Sequence, residues 1–326
     1  MIFLILGDTE RIVSSEFIDE ARRKRMTLRS LLAGNELVVM PGGFSPVYAR
    51  MAQDIGFRCF FLAGSQMSGF LLGVPDAGIL GLRDIVDHAR HAAAGTTIPL
   101  LLDADTGFGN AVNVHYSVQE IVRSGVAALN IEDQEAPKRS PTGGGRRCIP
   151  MDEAVGKLQA AVAARNAIDP SFVICARCDS IGVEPDIEQT VARCLAYAKA
   201  GADLVWLNAV ERRDQLARVC AATPAPVLCN WFSSVEPPPT FQEFAELGVR
   251  VALYPVMAAQ AGLQGAWELL NDFKTRGPAA LADWRQRSIK RPFGLADFKA
   301  LTGHEHVRAI EEQFLPLQDR RDYGRR

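Results

Sequence analysis

The chain has 326 residues, of which 48% are hydrophobic and 23% are charged, with 36 basic against 38 acidic side chains. This composition excludes a disordered, collagen-like or low-complexity chain. A formal net charge of −2 gives no electrostatic basis for binding nucleic acid, so we expect no such partner. The apolar opening Met1–Leu6 is far shorter than the roughly 20 residues of a transmembrane helix, so we expect no membrane partner either.

The seven cysteines are odd in number and lie mostly within apolar runs. Cys175 and Cys178 form a C-x-x-C, but the residues around them are typical of a buried strand rather than of a turn that opens a redox helix. We therefore expect reduced thiols and a cytoplasmic protein.

Along the chain, eight short apolar runs are predicted to be strands. They are residues 36–40, 58–63, 98–103, 127–132, 172–177, 203–208, 226–230 and 250–254. Amphipathic stretches between them are predicted to be helices. These are residues 47–56, 82–94, 112–125, 151–167, 188–201 and 241–248. Several of these helices end in a glycine just before the next strand, as at Gly125 and Gly201, which is typical of a helix C-cap.

Eight strands alternating with helices indicate an α/β fold, a (β/α)8 TIM barrel, more than an open, doubly wound Rossmann-like sheet, which is the alternative. We predict an N-terminal extension over residues 1–24 and one barrel over residues 25–255. A C-terminal helical region is predicted over residues 256–326, with breaks at Pro278 and Pro292. No linker or composition break divides the barrel.

Acidic side chains fall where two neighbouring strands end. Asp103 and Asp105 close the third strand and Glu132 closes the fourth, at the barrel face where chemistry is found in this fold. Mg²⁺ is typically bound by one or two carboxylates, with water molecules and substrate oxygens as the remaining ligands. The alternative is that these acids only cap the following helices. The three together favour a metal site.

Other polar residues converge on the same face. Arg177 ends the fifth strand, and a guanidinium there is typical of a carboxylate clamp, with a structural ion pair as the alternative. Asn208 and Asn230 end the next two predicted strands. The glycine- and arginine-rich run 138–147 is interpreted as a mobile loop over the barrel mouth or as a plain solvated loop. None of the five histidines falls at a strand end, so we expect structural roles for them.

At these residues the chain resembles the isocitrate lyase / phosphoenolpyruvate mutase superfamily. The resemblance extends from about residue 24 to residue 317, and its most specific phrases are D-A-D-T-G-F-G-N at residues 103–110 and I-E-D-Q at residues 131–134. Further matching phrases are P-G-G-F at residues 41–44, L-G-V-P-D at residues 72–76, P-K-R at residues 137–139 and A-R-C-D at residues 176–179.

The resemblance implies a (β/α)8 barrel whose last helix is exchanged between the subunits of a homo-oligomer, a dimer or tetramer. It implies Mg²⁺ near Asp103 and Asp105, with Mn²⁺ as a possible substitute. Glu132 and Asp76 would then engage waters on the metal.

The resemblance also implies a small carboxylate substrate that passes through a pyruvate-like enolate. Backbone amides at Gly64 and Ser65 would hold the oxygen of that enolate, and Arg177 would hold its carboxylate.

Departures from the family pattern bear on the reaction. Lyases of this family carry a Lys-Lys/Arg-Cys-Gly-His loop, whereas this chain has K-R-S-P-T at residues 138–142, so Ser140 stands in place of the acidic thiol. Asn208 stands where the family commonly has a Glu, and Ala63 stands where it commonly has a Ser. Gln260 replaces a family Arg that binds a distal carboxylate. Asn230, by contrast, keeps the amide found in the lyases. Asp76, Lys138 and Ser140 are the candidate catalytic residues.

These features predict a Mg²⁺-dependent lyase for a small α-keto or 2-hydroxy di- or tricarboxylate, by C–C cleavage or decarboxylation. Phosphonopyruvate mutase or hydrolase chemistry is one alternative, and a pseudoenzyme that binds a dicarboxylate without turnover is another. Arg146 or Arg147 is a candidate for the distal carboxylate clamp missing at Gln260.

Overall fold

A computed structural model describes residues 8–140, 144–289 and 295–321 of the chain. Eight parallel strands form a closed barrel in chain order. They are β1 (Val38–Gly43), β2 (Phe60–Leu62), β3 (Leu100–Asp103), β4 (Ala128–Glu132), β5 (Val173–Cys178), β6 (Leu204–Leu207), β7 (Val227–Cys229) and β8 (Val251–Tyr254). Pairing of Val38 with Val251 joins the first strand to the last. This closure confirms the predicted (β/α)8 barrel and excludes the open sheet.

Helices alternate with these strands in the described residues. They are α1 (Asp8–Ala33), α2 (Pro46–Ile55), α3 (Gly64–Met67), α4 (Leu82–Ala94), α5 (Ala111–Arg123), α6 (Met151–Ile168), α7 (Ile187–Lys199), α8 (Arg213–Ala222), α9 (Phe241–Glu246), α10 (Met257–Arg276), α11 (Pro278–Ile289), α12 (Leu295–Leu301) and α13 (His304–Phe314). A π-helical turn covers Ser68–Leu72, and short 3₁₀ turns cover Ser180–Gly182 and Leu317–Asp319. The six predicted helices correspond to α2, α4, α5, α6, α7 and α9.

Apolar residues form two layers because each strand sends alternate side chains inward and outward. The outer layer packs the strands against the surrounding helices, with Phe60 and Ile174 among its buried members. The inner layer fills the barrel with residues such as Met40, Phe61 and Leu101. A filled interior leaves the polar end of the barrel as the place for a site.

Helix α1 packs at the end of the barrel where the strands begin. Its Leu28 and Leu32 belong to the inner apolar layer. Arg25 donates to the Val126 carbonyl at 3.2 Å and pairs with Asp169 at 2.7 Å. Because α1 is one continuous helix from residue 8 to residue 33, it crosses the boundary predicted between residues 24 and 25, and that division stays a prediction.

The chain divides into two compact units, Met1–Ala259 and Gln260–Arg326. The second unit is helical, as expected for the C-terminal region, and on α10 it exposes Leu263, Trp267 and Leu270. Their spacing of three and four residues places these side chains on one helix face. Exchange of a helix between subunits stays a prediction. Within the described residues, every helix is too short or too polar to cross a lipid bilayer.

Candidate active site

Every second residue of a barrel strand faces the interior, and at the barrel mouth these inward-facing positions are occupied by polar residues. In β4, Ala128 lies in the inner apolar layer, and Asn130 and Glu132 follow at spacings of two residues. In β5, Cys175 is followed in the same way by Arg177. The same alternation places Asp103, Asn208 and Asn230 beyond the apolar residues of β3, β6 and β7. One layer of buried polar side chains thus covers the apolar filling.

Three donors fix the orientation of the Asp103 carboxylate. Asn130 Nδ2 donates to Oδ1 at 2.8 Å, the Asp105 amide donates to the same oxygen at 3.3 Å, and the Gly64 amide donates to Oδ2 at 3.1 Å. A Cβ atom at Gly64 would lie 2.8 Å from Asp103 Oδ2, so a larger residue there would displace this carboxylate. Because this amide holds Asp103, the role of Gly64 toward a substrate oxygen stays a prediction.

Lys138 lies between two carboxylates. Its Nζ is 2.6 Å from Asp105 Oδ1 and 2.8 Å from Asp76 Oδ1. The residue is only 3% exposed, so Lys138 belongs to the site rather than to a solvated loop, and the interpretation of run 138–147 as a plain solvated loop is wrong at this residue. Burial opposes the charge of Lys138, but Glu132, Asp103, Asp105 and Asp76 raise its pKa well above the ordinary value.

Asp105 is held in an uncommon conformation. Its φ of 47° lies in the left-handed region, which is unfavourable for most residues other than glycine and is often found at functional sites. Burial raises the pKa of Asp105 to about 6, although Lys138 opposes the shift.

Glu132 is fully buried at the end of β4, and its Oε1 has no hydrogen-bond partner. Oε2 lies 2.9 Å from Arg177 Nη1. Burial raises the pKa of Glu132 to about 8, with Arg177 and Lys138 opposing. Such a buried acceptor calls for a donor or a cation.

The acidic side chains fit Mg²⁺ by their chemistry. Asp76 Oδ1 and Asp105 Oδ1 are buried against the Lys138 ammonium, Glu132 Oε2 faces Arg177, and Glu132 Oε1 is buried without a partner. No group of three or more His, Cys, Asp or Glu side chains in the described ranges is close enough to enclose a metal ion. Mg²⁺ needs no such enclosure, since it is usually held by one or two carboxylates together with waters and substrate oxygens.

Arg177 is tied to protein carboxylates, as the ion-pair interpretation expects. Its Nε and Nη2 donate to Asp179 at 2.8 and 3.1 Å, and its guanidinium carbon lies 4.7 Å from the centre of the Trp206 ring. With Nη1 facing Glu132, three of its five N–H groups are engaged. Two N–H groups remain, so the ion pairs do not exclude a carboxylate clamp.

Asp179 is a residue of this site that the predicted set leaves out. Its fully buried carboxylate accepts hydrogen bonds from Arg177, from Arg146 Nη1 at 3.0 Å and from Asn208 Nδ2 at 2.5 Å. Burial by itself would raise the pKa of the Asp179 carboxyl. The contacts with Arg177, Asn208 and Arg146 outweigh burial, so the pKa lies below its ordinary value. Asp179 therefore orients the guanidinium. Its place at the end of the fifth strand, beside Arg177, is visible in the sequence, but the strand-end pattern assigned it no role.

The other predicted residues occupy different positions around the mouth. Asn230 Oδ1 accepts from Trp206 Nε1 at 2.6 Å. Ser65 lies in the first turn of α3 and is half-buried. Ser140 is half-buried as well, and residues 141–143, including Thr142 of the predicted loop, lie outside the described residues.

The two arginines considered for a distal clamp differ. The Arg146 side chain is 8% exposed and also donates to the Gly182 carbonyl, whereas the Arg147 side chain is 78% exposed and lies 3.9 Å from Glu135 Oε2. The structure therefore brings Arg146 to the site and leaves Arg147 at the surface.

Behind the mouth, Asp133 organises a second buried network that the predicted set also leaves out. Its Oδ1 accepts from the Asp179 amide at 2.8 Å, and its Oδ2 accepts from the Tyr197 hydroxyl at 2.6 Å. Arg193 Nη1 lies 3.3 Å from the same Oδ2. This network joins α7 to the ends of β4 and β5.

Among the cysteines, Cys148 contacts this network, since its Sγ lies 3.7 Å from Asp133 Oδ1. All seven cysteines are unpaired, and Cys175 and Cys178 are buried in β5, as expected. His88 and His91 lie in α4 and His115 in α5.

Comparison with known proteins identifies the family of the chain. The family model described as phosphoenolpyruvate phosphomutase matches residues 28–272. The chain is 32% identical over 292 residues to the 2,3-dimethylmalate lyase of Eubacterium barkeri, which covers 88% of this chain and 96% of that protein. It is 36% identical over 251 residues to the oxaloacetate decarboxylase of Chromohalobacter salexigens, covering 76% of this chain and 84% of that protein.

A solved structure of phosphonopyruvate hydrolase with oxalate and Mg²⁺ is similar in fold, with a TM-score of 0.79 and 29% sequence identity. The similarity covers 90% of this chain and 99% of the hydrolase. The chain therefore belongs to the phosphoenolpyruvate mutase family, within the isocitrate lyase / phosphoenolpyruvate mutase superfamily, and its relatives place it among the carbon–carbon lyases of that superfamily.

Proposed function

We propose that the chain is a Mg²⁺-dependent lyase for a small α-keto or 2-hydroxy di- or tricarboxylate, which reacts through a pyruvate-like enolate by C–C cleavage or decarboxylation. One observation carries this proposal. At the barrel mouth, the buried carboxylates of Asp76 and Asp105 surround the Lys138 ammonium, and a guanidinium with unused N–H groups lies beside Glu132, whose Oε1 has no partner. Such a site can hold a cation and a carboxylate side by side.

Asp103 and Asp105 are the residues that would hold Mg²⁺, with Glu132 and Asp76 contributing through water. When bound, the ion would supply a fixed positive charge that stabilises negative charge developing on the substrate oxygen. Mn²⁺ fits the same oxygen donors.

Arg177 binds and orients the substrate carboxylate. Asp179 and Trp206 hold the guanidinium in one plane, so its two remaining N–H groups are preorganised for a bidentate contact. Asn230 adds an amide at the end of β7, where Trp206 fixes its carbonyl oxygen. The Ser65 amide serves the enolate oxygen.

Lys138 is the proton-handling group that the site supports best, since its ammonium lies within hydrogen-bond distance of Asp76 and Asp105. Ser140 replaces the thiol of ordinary lyases and is a far weaker acid. Decarboxylation avoids this deficiency, because CO₂ leaves without taking a proton. This reasoning favours decarboxylation, the reaction named for the Chromohalobacter salexigens relative, over release of an aldehyde or keto fragment.

Phosphonopyruvate chemistry is the second candidate function. The specific support for it is the fold similarity to phosphonopyruvate hydrolase at 29% identity, since the same acidic half of the site would serve both reactions. A dicarboxylate-binding pseudoenzyme is the outcome if no substrate turns over.

A panel of substrates tests the proposal. Oxaloacetate, 2-methylisocitrate, 2,3-dimethylmalate and phosphonopyruvate are incubated with the protein and Mg²⁺, and pyruvate, CO₂, glyoxylate and phosphate are measured. We expect pyruvate from a carbon–carbon substrate and none with the Asp103→Ala variant. Phosphate release from phosphonopyruvate alone would support the second candidate, and binding without turnover would support the pseudoenzyme.

We further infer a homo-oligomer in the cytoplasm. The exposed stripe of Leu263, Trp267 and Leu270 on α10 supports association through the C-terminal helices, and the unpaired cysteines support a reducing compartment. Light scattering of the full chain would measure the number of subunits.

A further inference from the structure

Lys157 is a buried lysine on α6 that the proposed chemistry does not use. The residue is 4% exposed, and it makes no hydrogen bond or ion pair with any residue in the described ranges. Burial lowers the pKa of its ammonium, although Glu153, Glu132 and Asp133 oppose the shift. Because lysine is rarely buried without a partner, this placement calls for a specific reason.

A small cavity borders Lys157. It has a volume of about 10 Å³ and lies where α6 and α7 pack on the ends of β4 and β5, with Glu132, Asp133 and Tyr197 also in its lining. A cavity of this size holds about one water molecule, and a buried water typically makes two to four hydrogen bonds to polar groups. The polar lining of this cavity supplies such groups.

The two carboxylates that line the cavity, those of Asp133 and Glu132, differ in how many hydrogen bonds they accept. Asp133 already accepts hydrogen bonds on both oxygens, from the Asp179 amide and the Tyr197 hydroxyl. Glu132 accepts none on Oε1, whereas its Oε2 is engaged by the ion pair with Arg177. A carboxylate offers about four acceptor positions, so Glu132 can face the mouth with some of them and the cavity with others.

We propose that Lys157 is a positioning residue for Glu132. The Lys157 ammonium donates a hydrogen bond to one water molecule in the cavity, and that water donates to Glu132 Oε1. The bridge fixes the orientation of the Glu132 carboxylate from behind β4. This inference rests on the proposed function in one respect, namely that Glu132 serves a divalent cation at the mouth.

The direction in which metal affinity changes when the Lys157 charge is removed distinguishes a positioning role from a purely electrostatic effect of that charge. Removing a cation near a divalent-metal site reduces charge repulsion and would tighten metal binding. Losing the orientation of a carboxylate that serves the metal would weaken binding, and changes to such supporting groups typically cost about 10-fold to 100-fold in metal affinity.

Mn²⁺ binding by electron paramagnetic resonance provides that measurement on the full chain. We expect Lys157→Met to weaken Mn²⁺ binding about tenfold, with a melting temperature equal to or above that of the wild type, since a buried charge is removed. Lys157→Gln keeps an N–H donor for the water and should recover most of the affinity. Lys199→Met, at the exposed end of α7, is the matched control. Unchanged or tighter Mn²⁺ binding by Lys157→Met would overturn the proposal.

A crystal structure of the wild-type protein tests the bridge independently of metal and activity. We expect an ordered water within about 3.2 Å of both Lys157 Nζ and Glu132 Oε1. A dry cavity, or a direct pair between Lys157 and another group, would overturn the proposal. If the wild type binds no Mn²⁺, the metal requirement of the proposed function fails, and the presence or absence of this water alone decides the role of Lys157.

Discussion

Lys138 Nζ lies 2.6 Å from Asp105 Oδ1 inside the barrel mouth. The ammonium neutralises an acidic cluster that would otherwise be strongly self-repelling, and it also places a proton next to the expected substrate position. The loop after β4 thus brings a cation into the centre of the acidic residues.

Lys138→Met should lower the turnover number at least about 100-fold, the range expected when a proton-transferring group is lost. The measurement is the steady-state rate on a substrate identified by the panel, with Lys199→Met as the control for loss of a lysine charge elsewhere. A Lys138→Met protein with wild-type turnover would contradict the assigned role.

Asp179→Asn should destabilise the protein and weaken substrate binding together. Removing one partner of a buried ion pair leaves the Arg177 charge poorly compensated, which costs about 3–5 kcal/mol in the free energy of unfolding. We expect KM to rise as the guanidinium loses its fixed plane. Denaturant unfolding and substrate titration measure the two effects.

The control for Asp179→Asn is Asp214→Asn, which breaks the exposed pair with Arg212 and should leave both quantities unchanged. If Asp179→Asn lowers stability but leaves KM at its wild-type value, Asp179 has only a structural role.

Arg146→Met should raise KM for a dicarboxylate about tenfold, since a hydrogen bond between charged groups contributes about 1.5–3 kcal/mol. Arg147→Met is a matched control from the next residue, because the Arg147 side chain is 78% exposed. Equal KM values for the two variants would show that Arg146 does not contribute to recognition of the distal carboxylate.

The pair of Arg25 and Asp169 at the opposite end of the barrel makes stability depend on pH. Burial by itself would raise the pKa of Asp169. Hydrogen bonds from Ser171 and Arg25 outweigh burial and hold the pKa below its ordinary value. The folded state therefore favours ionised Asp169, and the stability gained is present above the unfolded pKa of about 3.9 and lost as the pH falls through the folded pKa.

Asp169→Asn should accordingly be less stable than the wild type at pH 7, and the difference should shrink as the pH falls below about 4. Urea unfolding at a series of pH values measures it, with Asp87→Asn, which breaks an exposed pair with Arg90, as the control. A difference that grows toward acidic pH would contradict the assignment.

The barrel could be predicted from the sequence because its strands are short apolar runs covered on both faces. All eight predicted strands overlap observed ones, and the helix over residues 82–94 was predicted with the observed bounds. Helix α8 (Arg213–Ala222) was missed because its many charged residues leave only Leu216 and Val219 buried, too few for a visible amphipathic pattern.

The site was only partly predictable, for a geometric reason. Residues at strand ends, such as Asp103 and Glu132, could be placed because the fold fixes where strands end. Lys138 could be named as a candidate only through the family resemblance, because it lies in a loop and its burial depends on how that loop folds back on the acidic cluster. Asp179 follows its strand and turns inward only because Arg177, Arg146 and Asn208 converge on it. Contacts between distant segments carry no periodic signal in the sequence.

The most direct test of the central claim is pyruvate release from oxaloacetate after removal of divalent cations. Wild-type protein is treated with a chelator, dialysed, and assayed with increasing Mg²⁺, with Asp105→Asn in parallel and a blank without protein for the metal-catalysed background. We predict no release above the blank in chelator, saturable recovery with Mg²⁺ for the wild type, and strongly reduced recovery for Asp105→Asn. Full pyruvate release in chelator would contradict the account.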